Sequence, residues 1–229
     1  MPTVQRKTIT GHVSWPRFEG LSFETCRFDN CFLAAPEEPS HRSLIRSVQL
    51  RDITQHACWI EGAAIEDVSL DRLKAGGDMP LYLNGCVFKH VTLSGQISGI
   101  KINRNLVGRT DESVRAVWDV ANEQYYGTTD WALDISRVRF TSSPTFEAIP
   151  GSLIRRDPET QVLLLRSALA VAHWETAVDF GTTSLDIAIS WFLTGSLFDD
   201  CVLAAARANR KFMEEMAVLE ALRRRGLAR

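Results

Sequence analysis

Hydrophobic positions recur every five residues over the first half of the chain. From Pro16 it reads Pro16-Arg17-Phe18-Glu19-Gly20, Leu21-Ser22-Phe23-Glu24-Thr25, Cys26-Arg27-Phe28-Asp29-Asn30 and Cys31-Phe32-Leu33-Ala34-Ala35. The first and third positions are apolar, and the fourth and fifth are mostly polar or small. The frame lapses over residues 36–42, whose Pro, Glu, Ser and His have loop composition, and resumes at Ser43-Leu44-Ile45. It holds through Val48-Gln49-Leu50, Ile53-Thr54-Gln55, Cys58-Trp59-Ile60, Ala63-Ala64-Ile65, Val68-Ser69-Leu70 and Leu73-Lys74-Ala75. A second insertion, residues 76–80 with Gly76, Gly77 and Asp78, leads to Leu81-Tyr82-Leu83, Cys86-Val87-Phe88, Val91-Thr92-Leu93 and Gln96-Ile97-Ser98. Self-similarity at a fixed period marks a repeat architecture, in which each unit buries its apolar face against its neighbours.

The pattern resembles the pentapeptide-repeat family, whose consensus is a small residue, a polar one, Leu or Phe, then two more polar residues; Cys26-Arg27-Phe28-Asp29-Asn30 is the nearest single match. The resemblance spans about residues 13 to 103. It implies a mainly β fold: a right-handed quadrilateral β-helix of about four coils, four pentads to a coil, stacked at about 4.8 Å. Grouped by fours, the third residues form four interior columns: Phe18, Ile45, Ile65, Phe88; Phe23, Leu50, Leu70, Leu93; Phe28, Gln55, Ala75, Ser98; and Leu33, Ile60, Leu83. The third column is thinly packed. Cys26, Cys31, Cys58 and Cys86 all take first positions, where a small core residue is expected rather than a metal ligand or redox thiol.

The middle residue of each pentad points outward. The second face is polar, with Ser22, Gln49, Ser69 and Thr92, whereas the fourth carries an aromatic ladder of Phe32, Trp59 and Tyr82. Beside it the first face shows Arg17, Leu44, Ala64 and Val87. A contiguous apolar stripe of this kind calls for a cover. Either the C-terminal half packs there, or Phe32, Trp59, Tyr82 and Leu44 anchor a protein partner.

Residues 1–103 are read as the repeat domain and 104–229 as a smaller α+β region, packed on or beside it and ending in an amphipathic helix. Asp111-Glu112-Ser113 starts a helix with Val114, Val117, Trp118 and Ala121 at helical spacing, to about Tyr125. Leu133-Asp134-Ile135 and Val138-Arg139-Phe140 recover the five-residue spacing, as a resumed β-helix or an edge strand. Between Leu153-Ile154 and the run from Val162 to Leu165 the expectation is a hairpin turned at Asp157-Pro158-Glu159 rather than a capped helix. Ser184 to Phe192 fits either state. Phe212, Met216, Leu219 and Leu222 mark the last helix, stopped by Gly226.

At 229 residues, 45% hydrophobic and 24% charged, the chain has ordinary globular composition. Its net charge of -2 recommends neither nucleic acid nor an anionic bilayer as partner. No apolar run approaches the roughly 20 residues of a membrane span, and the start Met1-Pro-Thr-Val-Gln-Arg has no secretory character. Five cysteines without metal spacing fit reduced thiols in a cytoplasm. Neither nucleotide-binding, zinc-protease nor serine-hydrolase motifs occur. His56 and His90 fall on corner positions and are read as lone surface residues. His173-Trp174-Glu175 is a weak acid/base candidate, Arg155-Arg156-Asp157 fits a salt-bridged turn, and Arg223-Arg224-Arg225 complements a helix dipole.

No catalytic residue, cofactor or metal is assigned. The function expected is that of a non-catalytic, cytoplasmic, bacterial-type interaction protein that binds a protein partner, with dimerisation through the Leu-rich terminal helix as a further route to assembly. Two alternatives stand beside it. The resemblance allows a topoisomerase-binding DNA mimic conferring inhibitor resistance, which needs a long acidic rod, whereas four coils reach roughly 20 Å. An enzyme or enzyme accessory built in the C-terminal half is the other.

Overall fold

The computed structural model describes every residue except Trp15, Asp78, Thr110 and Ala172, and the backbone alone of Ser14. Asp78, read above as part of the second insertion, therefore lies outside the described residues.

The corners explain the period of five. Gly20, Thr25 and Asn30, then Ser47, Asp52, Ala57, Gly62, Asp67 and Arg72, then Gly85, His90 and Gly95 all adopt φ between 49° and 71°. One left-handed residue redirects the chain, so each unit is a short extended step and a bend. The strands are β1 (Thr3–Gln5), β2 (Thr8–Ser14), β3 (Arg17–Glu19), β4 (Ser22–Glu24), β5 (Arg27–Ala34), β6 (Leu44–Arg46), β7 (Gln49–His56), β8 (Trp59–Glu61), β9 (Ala64–Glu66), β10 (Ser69–Ala75), β11 (Leu81–Asn84), β12 (Val87–Lys89), β13 (Val91–Ile97) and β14 (Ile100–Asn103). The helix α1 (Glu112–Gly127), β15 (Leu133–Phe140), β16 (Ile154–Arg155), β17 (Gln161–Leu165), α2 (Arg166–Val171), α3 (Trp174–Ala177), α4 (Leu185–Gly195), β18 (Asp200–Ala204) and α5 (Phe212–Arg224) follow.

The fold is mainly β, with parallel strands in curled sheets and helices toward the C-terminus. The order β12-β9-β6-β3 makes one sheet, and β14-β11-β8-β5-β7-β10-β13-β15-β16 runs through the other. Registers match the first two interior columns: Phe18 pairs with Ile45, Ile45 with Ile65 and Ile65 with Phe88, and Phe23 pairs with Leu50, Leu50 with Leu70 and Leu70 with Leu93. Stacked apolar side chains at strand spacing form a continuous core.

Three features differ from the sequence reading. The stack begins earlier, because β1 and β2 place Val4 beside Phe23, Ile9 beside Phe28 and Val13 beside Leu33. The register slips near Gly95, so Ile97, not Gln96, lies opposite Leu73, and Ser98 leaves the column of Gln55 and Ala75. The extra residue lets fully buried Ile97 continue the stack of Cys26, Ile53 and Leu73. The third difference is at residues 153–165, which form no hairpin: β16 pairs in parallel with β15, and β17 pairs antiparallel with β18, Val162 beside Leu203 and Leu164 beside Cys201. Ile154 extends the parallel stack beside Leu133. The apolar β17 buries Val162 and Leu164 against the five-residue β18, a longer apolar partner than β16, which is two residues long and ends in exposed Arg155.

β15 continues the stack past residue 103, its Leu133 beside Val91 and its Phe140 beside Ile97. The N-cap of α1 is Asp111, whose side chain accepts from the Ser113 N–H. Residues 185–195 resolve as the helix α4, its C-terminal carbonyls gathered by Arg166, which donates to Phe192, Leu193 and Ser196. Val218, Leu219 and Leu222 of α5 are buried within the chain, so the apolar face that offered a dimer contact is already in use. No helix among the described residues is long and apolar enough to cross a membrane.

Candidate functional site

Five parallel strands, β2, β5, β8, β11 and β14, align the ladder, and their registers make it longer than the sequence alone showed. His12 pairs with Phe32, Phe32 with Trp59, Trp59 with Tyr82 and Tyr82 with Lys101. Trp59 and Tyr82 stack with ring centroids 6.3 Å apart and planes 10° apart. His12 meets Phe32 edge-on at 5.7 Å. Phe32, Trp59 and Tyr82 are each half-buried. At the far end, burial lowers the Lys101 pKa; its Nζ donates to the Ser143 carbonyl at 3.1 Å and lies 5.5 Å from the Trp191 ring centroid.

The neighbouring face is treated differently. Ala64 and Val87 are buried, at 8% and 0% exposure, and Leu44 is half-buried. Here α1 lies against β12. Tyr125 donates its hydroxyl to Glu66 at 3.0 Å, and Arg42 sits 4.7 Å from the Trp118 ring centroid while donating to Asn122. Trp118 packs into the gap at Gly62, where a Cβ would come within 2.5 Å of the indole ring. The apolar stripe is thus divided: the C-terminal half takes the Leu44, Ala64 and Val87 side, while Phe32, Trp59 and Tyr82 keep solvent-facing surface.

A groove of about 920 Å³ runs along the strands between the second insertion and the Thr141–Ser143 segment, with Asp52, Arg72, Lys74 and Lys101 on its walls. The sequence showed the insertion that forms one wall but not the segment that forms the other. In the third column Gln55, at 2% exposure, donates Nε2 to the Met79 carbonyl at 2.8 Å and so fastens the insertion.

Neither His56 nor His90 is lone, and only His90 sits at a corner, with φ 55°; His56, read above as a corner residue, ends β7 one position before the Ala57 corner. His56 Nδ1 lies 2.8 Å from Asp29, and His90 stands between Asp67 at 3.2 Å and Asp130 at 2.6 Å, its ring 4.8 Å from Trp131. The hydrogen bonds from His56 and Arg27 lower the Asp29 pKa, and that from His90 lowers the Asp130 pKa. His173 and Glu175 are both exposed, and among the described residues their side chains make no hydrogen bond to one another. In the Arg155-Arg156-Asp157 segment, Arg155 stacks on Trp131 at 4.1 Å and Asp157 accepts from the Thr160 hydroxyl and the Glu159 N–H. Arg223 donates to the Pro158 carbonyl, and Arg223 and Arg224 both pair with Glu220.

The thiols are arranged as core groups. Cys26, Cys31, Cys58 and Cys86 donate weakly to the carbonyls of Val4, Ile9, Phe28 and Ile60 on the preceding level of the stack. Burial pushes the Cys86 thiol up to about 12 and raises that of Cys201 as well, which disfavours the nucleophilic thiolate. No group of three or more His, Cys, Asp or Glu among the described residues could hold a metal ion. Comparison with known proteins gives no relative: no family model, curated protein or solved structure matches the chain.

Proposed function

We propose that the chain is a pentapeptide-repeat protein wound as a right-handed, square-sectioned β-helix, and that it acts without catalysis by presenting Phe32, Trp59 and Tyr82 to a protein partner. The period-five corners and the matched columns support the winding. The observation that carries the function is the divided stripe, in which the chain covers one apolar face and leaves the adjoining aromatic one half-exposed. Rings held at strand spacing by the sheet are ordered before any partner arrives, so binding them costs little further side-chain entropy. Large aromatic rings of this kind are frequent energetic centres of interfaces.

The test is Trp59→Ala. Affinity capture from the native host, quantified by mass spectrometry, is expected to yield a protein retained by the unmodified chain and lost from the variant. The melting temperature should change little, because the ring is half-exposed. A variant that melts at markedly lower temperature and newly binds an apolar dye would show the ring to be structural, and undiminished capture would remove the ladder from the interface.

A further inference from the structure

The two ends of the stack are finished differently. Toward the C-terminus β15 and β16 continue it, whereas at the other end β1 pairs only with β4, β2 only with β5 and β3 only with β6 among the described residues. Each of these three strands therefore has a free edge. Behind the edges, Val4, Ile9 and Phe18 are half-buried and Val13 is 42% exposed. An apolar cavity of about 430 Å³ reaches inward from there, past Phe23 and Phe28.

We propose that this end docks onto the same end of a second copy of the chain, about a two-fold axis at Gly11. The inference rests on the winding proposed above and is independent of the ladder. A wound chain ends in a ramp: β1 is outermost, and β3 lies most of a strand spacing further in. Two such ramps meet without a gap when the outermost part of one faces the innermost part of the other. That occurs for a rotation about the middle of the terminal turn, and the residue midway between Thr3 and Glu19 is Gly11. The same rotation runs the facing strands antiparallel, β1 against β3 of the other copy and the two halves of β2 against each other.

The register that follows pairs positions whose numbers sum to 22. Val4 meets Phe18 and Ile9 meets Val13, so all four core positions of one end face core positions of the other. Gln5 meets Arg17 and Thr3 meets Glu19, which opposes no like charges. A slip of one residue would set Val4 against Arg17 or Glu19. Antiparallel pairing with such matched pairs is the ordinary unit of sheet stabilisation, and a self-complementary patch is what a two-fold dimer requires.

β2 is the unguarded part of this edge, between the Arg6-Lys7 and Pro16-Arg17 pairs that flank it. Exposed edges are commonly protected by charged residues or proline, yet Thr8–Ser14 contains neither. Gly11, with φ +138°, has no atom within 4 Å of where a Cβ would stand, which leaves room for backbone to approach on the axis. The described residues of 3–19, all but Trp15, give sixteen positions a side, fewer than the roughly 20–30 of a standard interface, so the association is reversible and concentration-dependent.

Sedimentation velocity of the full chain across a dilution series tests this, with amide exchange measured at the two concentration extremes. The unmodified chain should pass from monomer to dimer, and amides of residues 8–14 should gain protection as it does. Val13→Asp should remain monomeric over the same range, whereas Met213→Asp, on the exposed side of α5, should dimerise as before. A monomer at every concentration, a dimer that survives Val13→Asp, or one lost with Met213→Asp would overturn the proposal. So would a monomer that binds an apolar dye at all concentrations, which would give the cavity to a small ligand. Should Val13→Asp fail to fold, exchange at residues 8–14 of the unmodified chain decides alone. Unprotected amides in residues 43–75 would instead mark failure of the winding itself.

Discussion

The fifth position of each pentad serves two purposes that are visible in single residues. At Gly62 a side chain is excluded, since φ is 61° and the Trp118 ring occupies the space a Cβ would take. Thr25 takes the same conformation, φ 55°, while exposed and β-branched. Left-handed backbone costs an ordinary L-residue roughly 1–2 kcal/mol, and a β-branched one is an outlier there. Thr25→Gly should therefore stabilise the chain by about 1 kcal/mol, seen as a higher urea midpoint at unchanged slope. An unchanged or lower midpoint would show that this corner is unstrained.

Between elements, the seam joining the stack to α4 contains Glu147, 8% exposed and against Gly195. Burial pushes its carboxyl up to about 7, although the Arg104 backbone N–H and the charges of Lys101 and Arg104 pull the other way. The folded state then holds a proton that the unfolded chain has released, so stability is full below about pH 4.5 and declines as the pH rises through about 7. This contribution is roughly 3 kcal/mol at its upper limit. Glu147→Gln should flatten the melting temperature between pH 5 and 8, as read by calorimetry; a slope identical in both proteins would place the titration elsewhere. Sequence legibility also divides by element. From Pro16 to Leu93 the period named the columns and the ladder, because each corner restarts the count. It lost the frame at Gly95, where one extra residue shifts everything after it, and missed β2, where Gly11 interrupts the frame and Lys7 stands where an apolar first position is expected. Amphipathic spacing found α1 and α5 but held no information on where either docks. The Val162–Leu165 run was legible as a strand, but its partner lies some forty residues onward, beyond any local pattern.

Across the whole molecule, burial along the columns is graded. Phe18 and Ile45 are half-buried, Ile65 is 6% exposed and Phe88 2%; Phe23 and Leu50 are half-buried, Leu70 is 7% exposed and Leu93 6%. In a stack where each level touches its neighbours, local opening starts where apolar contacts are fewest. Native-state amide exchange in dilute solution should accordingly show protection rising from β4 through β7 and β10 to β13. Equal protection in all four would mean that the stack opens as one unit.

The same gradient runs against the direction of synthesis. Chains are made from the N-terminus at about 5–20 residues per second, so the segment carrying β1 to β5 leaves the ribosome first while the levels that bury Phe88, Leu93, Ile97 and Leu133 are still unmade. The nascent chain must carry Phe18, Phe23 and Phe28 without their firmest support until those later levels arrive. In the cell this interval exposes the uncharged Thr8–Ser14 edge to chaperones or to neighbouring nascent chains before the rest of the core can secure it.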